Sequence, residues 1–127
     1  MNTREIGAEA ENYTAGWLSQ KGYEILDRNF CMRGGELDII ARKDDMIVFV
    51  EVRSWNREFW EGGTPLETIS PNKIRHLIKT AVYYLHTKKI PQQAVDIRFD
   101  VAALIKESDG SFSIDYIPAA FDASEVR

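Results

Sequence analysis

A chain of 127 residues, 44% apolar and 28% charged, can bury one hydrophobic core without disulfides or a structural metal, and fits a single domain over residues 1 to 127. Its net charge of −4 argues against a generally cationic nucleic-acid binder, while leaving room for a local basic patch. The single cysteine, Cys31, forms no internal disulfide, no Cys/His cluster has zinc spacing, and no stretch approaches the roughly 20 apolar residues of a membrane span. "MNTREIGAEAENY" has no apolar run of signal-peptide length, so a cytoplasmic location is expected.

The first segment, roughly 3 to 21, is predicted to be a helix, with Asn2 as its cap and Glu5 closing a capping box. Ile6, Ala10, Tyr13 and Trp17 recur at helical steps, so this stripe is expected to face a core. Gly7, Glu11, Thr14 and Leu18 form a second stripe beside it. Gly22 stops the helix, and "YEILDRNF" follows as an extended segment. A hairpin comes next, its strands "ELDIIARK" and "MIVFVEVRS" meeting at Asp44 and Asp45, which tolerate turn conformations. The second strand is apolar at nearly every position, as expected of an interior strand covered on both faces.

"WNREFWEGGTP" reads as an exposed loop. Ser70 then caps a second helix begun by Pro71, with Ile74, Leu77, Ile78, Ala81, Val82 and Leu85 inward. "VDIRFDVAALI" and "SFSIDYI" are two further strands, and residues from about 118 onward read as a tail. The order α-β-β-β-α-β-β, without internal repeats, predicts an α/β domain: a mixed five-stranded sheet flanked by helices.

The hairpin carries four charges among its apolar residues. With the turn centred between Asp44 and Asp45, paired residue numbers sum to 89, which sets Asp38 opposite Glu51 and Glu36 opposite Arg53 on one face. Two opposed carboxylates require a compensating cation or a shared proton, and a divalent metal is the natural candidate. The same pattern also fits a partly solvated face on which Arg53 bridges Glu36 and Glu51 in an ordinary ion network.

Asp38 followed, across the hairpin, by Glu51-Val52-Arg53 resembles the PD-(D/E)xK nuclease core. More narrowly, "GAEAE", "KGYEILDRNF", "GELDII", "FVEVRS", "ETISPNK" and "RFDV", in that order between about residues 7 and 104, resemble the YraN-like family of small bacterial proteins, itself similar to archaeal Holliday junction resolvases. The resemblance implies a restriction-endonuclease-like core in which Asp38 and Glu51 bind Mg²⁺ or Mn²⁺, Glu11 completes the site, and Arg53 occupies the usual lysine position. Taken from the residues alone, Glu11 reads as a solvated helix residue. Arginine keeps its proton, so Arg53 fits phosphate positioning and not general-base work.

From Pro71 to Val95 there is no acidic residue, while Lys73, Arg75, Lys79, Lys88 and Lys89 are present. Lys73, in the first turn of the second helix, is the best candidate for a phosphate contact; the others read as a solvated helix face. Asp96, Arg98 and Asp100 alternate on one strand, where a structural ion pair is expected. Trp55, Phe59 and Trp60 either stack on bases or cover the core or a dimer interface. The resulting expectation is a metal-dependent endonuclease acting on branched or otherwise structured DNA, with a homodimer suggested by the resolvase resemblance. A noncatalytic module that keeps the nuclease fold and binds nucleic acid or protein is the alternative.

Overall fold

In a computed structural model that describes residues 2–122, helix α1 (Thr3–Gln20) precedes strands β1 (Glu24–Met32), β2 (Gly35–Lys43) and β3 (Met46–Asn56). Two 3₁₀ turns, at Arg57–Phe59 and Pro65–Thr68, lead into helix α2 (Pro71–Thr87), and a third at Gln92–Ala94 leads to β4 (Asp96–Lys106) and β5 (Phe112–Phe121). The five strands lie in the order β1-β2-β3-β4-β5. The pair β3–β4 is parallel and the other pairs are antiparallel, so α2 is the crossover that parallel strands require. The mixed five-stranded sheet and the predicted element order are therefore both present.

The two faces of the sheet carry separate cores. Leu37, Ile40, Ile47, Phe49 and Phe99 pack against Leu77, Ile78, Ala81, Tyr84 and Leu85 of α2. On the other face Ile39, Ala41, Val48, Val50, Ala102 and Leu104 pack against Ala10, Ala15 and Leu18 of α1. Each fully buried Leu, Ile or Phe contributes about 1.5–3 kcal/mol. Strand β3 supplies both cores by alternation, which is why its sequence is almost uninterruptedly apolar.

Local signals explain the boundaries. The Asn2 side chain accepts from the Glu5 amide at 2.9 Å, but the Glu5 carboxylate returns to the Asn2 side-chain amide and not to its backbone, so the expected capping box is only half formed. At the other end Gly22 takes φ +95°, with the Gly22 amide bonded to Ser19 and the Tyr23 amide to Leu18, the hydrogen-bond pattern of a Schellman cap. Ser70 caps α2 through the Lys73 amide. Asp44, at φ +54°, makes the hairpin turn, and Lys43 faces Met46 across it. The paired numbers sum to 89, as predicted, from Lys43–Met46 to Ile39–Val50.

Four expectations are corrected. The inward face of α1 is Ile6, Ala10, Thr14 and Leu18, whereas Tyr13 is 41% exposed; Trp17 does pack half-buried against that core, stacked on Tyr116. Thr14 can be buried because its hydroxyl donates to the Ala10 carbonyl at 2.8 Å, leaving no unpaired polar group. Val82 points outward at 45% exposure, while Tyr84 is buried with its hydroxyl donating to Asp27. Trp55 and Asn56 belong to β3, not to the loop.

The chain from Pro118 is not a tail as far as Phe121. Strand β5 continues through an irregularity opposite Asp100, which restores pairing at Phe99–Phe121 and stacks these two rings. The last part of the expected tail, 123 to 127, lies outside the described residues. No helix among the described residues is long and apolar enough to cross a membrane.

Candidate functional site

The β2–β3 ladder ends at Ile39–Val50, one residue short of the two acids. There the Asp38 carboxylate replaces a ladder partner, accepting the Val52 amide at 2.8 Å. Asp38 and Glu51 are nevertheless brought together as the pairing arithmetic predicts, close enough to share a proton. Glu51 is only 6% exposed, and the crevice below the pair is walled by Leu37, Phe49, Leu77 and Phe99. Burial first, then the facing Glu51 carboxyl, pushes Asp38 up to about 7, against the pull of the Val52 amide and Lys73.

Two cations approach the pair without closing on it. Lys73 Nζ lies 3.6 Å and Arg53 Nε 3.8 Å from Glu51 Oε2, both beyond hydrogen-bond length. Arg53 is held from the other end, donating through Nη2 to the Thr68 carbonyl at 3.1 Å, which leaves its buried Nε without a hydrogen bond. Lys73 opposes the dipole of α2, a cost of a few tenths of a kcal/mol that proximity to a buried carboxylate offsets.

Glu11 reaches the same neighbourhood from α1. Its Oε1 is buried with no hydrogen-bond partner, and its carboxyl is raised above the ordinary range by burial and then by the charge of Asp38. It is thus not the freely solvated residue that the helix pattern alone suggests. Among the described residues, however, no three His, Cys, Asp or Glu side chains are gathered closely enough to hold a metal ion. Glu11 borders the Asp38–Glu51 pair without closing it into a cage.

Glu36 is not opposite Arg53. Beyond Ile39 the strand β2 pairs only with β1, where Glu36 faces Cys31 and is exposed, because the Asp38 side chain has already taken the Val52 amide. Arg28 and Asn29 of β1, which bear on Glu11, went unassigned in the sequence; the available signal was the "DRNF" segment, where Asn29 takes φ +53°. Lys88 pairs with Asp27 and sits over the Tyr84 ring, whereas Arg75 and Lys79 are exposed. Arg98 grips the fully buried Asp100 with two 2.8 Å hydrogen bonds, the structural ion pair expected there. A larger groove beside α2, lined by residues such as Met32, Val82 and Ile90, includes none of the candidate residues.

Residues 10–104 match the uncharacterised protein family UPF0102. The chain belongs to this family. UPF0102 proteins from Syntrophomonas wolfei and Lachnoclostridium phytofermentans are 45% and 42% identical to it, covering 93% and 97% of this chain and 98% of each relative. One from Dictyoglomus turgidum is 38% identical over 95% of this chain and all of its own length. The stretch that matches UPF0102 runs from within α1 to within β4, so it includes Glu11, Asp38, Glu51, Arg53 and Lys73 and stops short of β5.

Proposed function

We propose that this UPF0102 protein is a metal-dependent endonuclease of the PD-(D/E)xK type that hydrolyses phosphodiester bonds in branched or otherwise structured DNA in the cytoplasm. The observation that carries this reading is the Asp38–Glu51 carboxyl pair, Glu51 buried and Asp38 partly buried, bordered by the unpartnered oxygen of Glu11 and flanked by Arg53 and Lys73. Without a cation, burial and the facing carboxyl hold Asp38 well above the ordinary carboxylate range, a cost that a bound cation would relieve.

The donor set fits Mg²⁺ or Mn²⁺. Hard cations take oxygen ligands, and magnesium typically uses one or two carboxylates together with waters and substrate phosphate. Asp38 and Glu51 would hold the ion, with Glu11, whose Oε1 has no partner, assisting. Bound there, the metal supplies Lewis-acid stabilisation and a more acidic water. Arg53, whose guanidinium is anchored on the Thr68 carbonyl, and Lys73, at the start of α2, offer donors to the nonbridging oxygens of a phosphate and stabilise charge that develops on them. Arg53 takes no proton from water, because arginine does not give up its own.

The test is cleavage of a panel of flapped, four-way and linear DNAs with Mg²⁺ or Mn²⁺. Activity is expected on structured DNA and is expected to fall at least about a hundredfold in Asp38→Ala and Glu51→Ala, the scale of removing a group that stabilises the transition state. Absence of cleavage, or cleavage indifferent to both substitutions, rejects catalysis at this site. One feature favours the second reading, a noncatalytic binding module: arginine stands in the lysine position and is partly occupied by Thr68. Titration calorimetry with Mn²⁺ separates the two, since the enzyme must bind the ion through Asp38 and Glu51 and the module need not.

A further inference from the structure

Strand β3 runs in unbroken register with β4 from Met46–Asp96 to Asn56–Lys106, so its alternation is regular and Glu51, Arg53 and Trp55 share one face. At about 3.3 Å per residue, Trp55 stands roughly 13 Å beyond Glu51 and roughly 7 Å beyond Arg53. Immediately after β3 the chain turns back on itself. Trp60 packs edge-on against Trp55 with ring centres 4.9 Å apart, and Phe59, between them in sequence, is 73% exposed.

This outcrop is mounted rigidly. The Asn56 side chain caps the 3₁₀ turn through the Glu58 amide, and the Trp60 amide closes it on the Arg57 carbonyl. Arg57 is fixed to Glu107 of the β4–β5 connection by two 2.8 Å hydrogen bonds, and Glu107 is itself held by the Ser113 hydroxyl. A single exposed phenylalanine is unremarkable on a protein surface. An exposed phenylalanine on a braced turn, directly after the strand that carries Glu51 and Arg53, has a geometry suited to a ligand with a charged backbone and flat apolar faces.

We propose that Phe59, on the turn between Trp55 and Trp60, stacks on an unpaired base of DNA whose phosphate lies against Arg53 and Lys73. The protein would thereby select DNA with an unpaired or displaced base close to that phosphate. This rests on the nucleic-acid reading of the site and adds to it the feature that discriminates among DNAs. Stacking tolerates any base because every base presents a π-face, so the selection is for strand structure and not for sequence.

The experiment is binding in EDTA, where nothing is cleaved, of a flapped DNA and a blunt duplex of equal length, read by fluorescence anisotropy. A 2-aminopurine probe is then stepped through the unpaired strand. Phe59→Ala is expected to weaken flap binding about tenfold, the scale of losing one stacked base, with little change on the duplex. Phe59→Trp is expected to restore both the affinity and the 2-aminopurine quenching at the position where wild type produces it. If wild type prefers the flap but Phe59→Ala binds it equally well, or loses flap and duplex binding alike, the inference fails alone. If wild type binds no DNA either in EDTA or with Ca²⁺ in place of Mg²⁺, it fails together with the proposed function. A wild-type dimer that Phe59→Ala converts to a monomer in sedimentation would instead assign Phe59 to a contact between copies and would also overturn it.

Discussion

Asp38 does two jobs that conflict unless a cation is present. Its carboxylate substitutes for a strand partner by accepting the Val52 amide, yet it faces the buried Glu51 carboxyl. With a folded-state value near 7 against an ordinary 3.8, the native state holds a proton that the unfolded chain releases across that interval. Stability from this group is therefore fully present at and below about pH 4 and is lost as pH rises to about 7; the raised Glu11 carboxyl acts in the same direction. Thermal melts of the metal-free protein are expected to show wild type losing ground to Asp38→Asn as pH rises through this window. A constant difference between the two from pH 4 to 8 would contradict the assignment.

At the scale of elements, the position of the carboxyl pair depends on how closely β2 approaches α2. A Cβ built on Gly35, at the start of β2, falls 1.9 Å from the Thr80 hydroxyl oxygen, and Thr80 is buried with that hydroxyl donating to the His76 carbonyl. Gly35→Ala is accordingly expected to cost about 1–3 kcal/mol in urea denaturation, as overpacking does. Adding Thr80→Ala, which removes the clashing oxygen, should recover part of that loss; a strictly additive double mutant would refute the contact. Asp100 plays a corresponding part on the other side of the sheet. Its carboxylate accepts from Arg98, the Tyr116 hydroxyl and the Ala119 amide, which anchors β5 where its register shifts and carries the strand on to Phe121. The sequence gives no warning of this, because Pro118 ordinarily interrupts a strand and its tolerance here depends on a residue 18 positions earlier.

Across the whole molecule, the site joins elements that otherwise belong to opposite layers. Glu11 comes from α1, Lys73 from α2, and Asp38 and Glu51 from the sheet between them. A cation bound at the pair should therefore stabilise global folding and not just one hairpin. Mn²⁺ at a hundred times its dissociation constant is expected to add about 2.7 kcal/mol to unfolding, and to slow amide exchange around both Glu11 and Lys73. Glu51→Gln should abolish both effects; stabilisation that survives the substitution would place the ion elsewhere.

Much of this organisation follows from local chemistry. The Ser70-Pro71 start, the Gly22 stop, the Asp44-Asp45 turn and the apolar run of β3 each act through neighbours in the chain, so the element order and the hairpin register were readable in advance, and with them the meeting of Asp38 and Glu51. What depended on distant partners was not. Which stripe of α1 faces inward was decided by small residues fitting the sheet, the end of the β2–β3 ladder by a side chain replacing a backbone partner, and the reach of β5 by Asp100. The sequence by itself pointed to Asp38 and Glu51 as facing acids, because period-two alternation across a turn at Asp44-Asp45 sets them on one face, although the same arithmetic failed for Glu36 and Arg53 beyond the end of the ladder. Only the tertiary structure decided that Glu51 is buried and Asp38 partly so, that Glu11 borders them, and that Lys73 and Arg53 stand just beyond hydrogen-bonding reach, since those relations are set by packing between layers rather than by spacing along the chain.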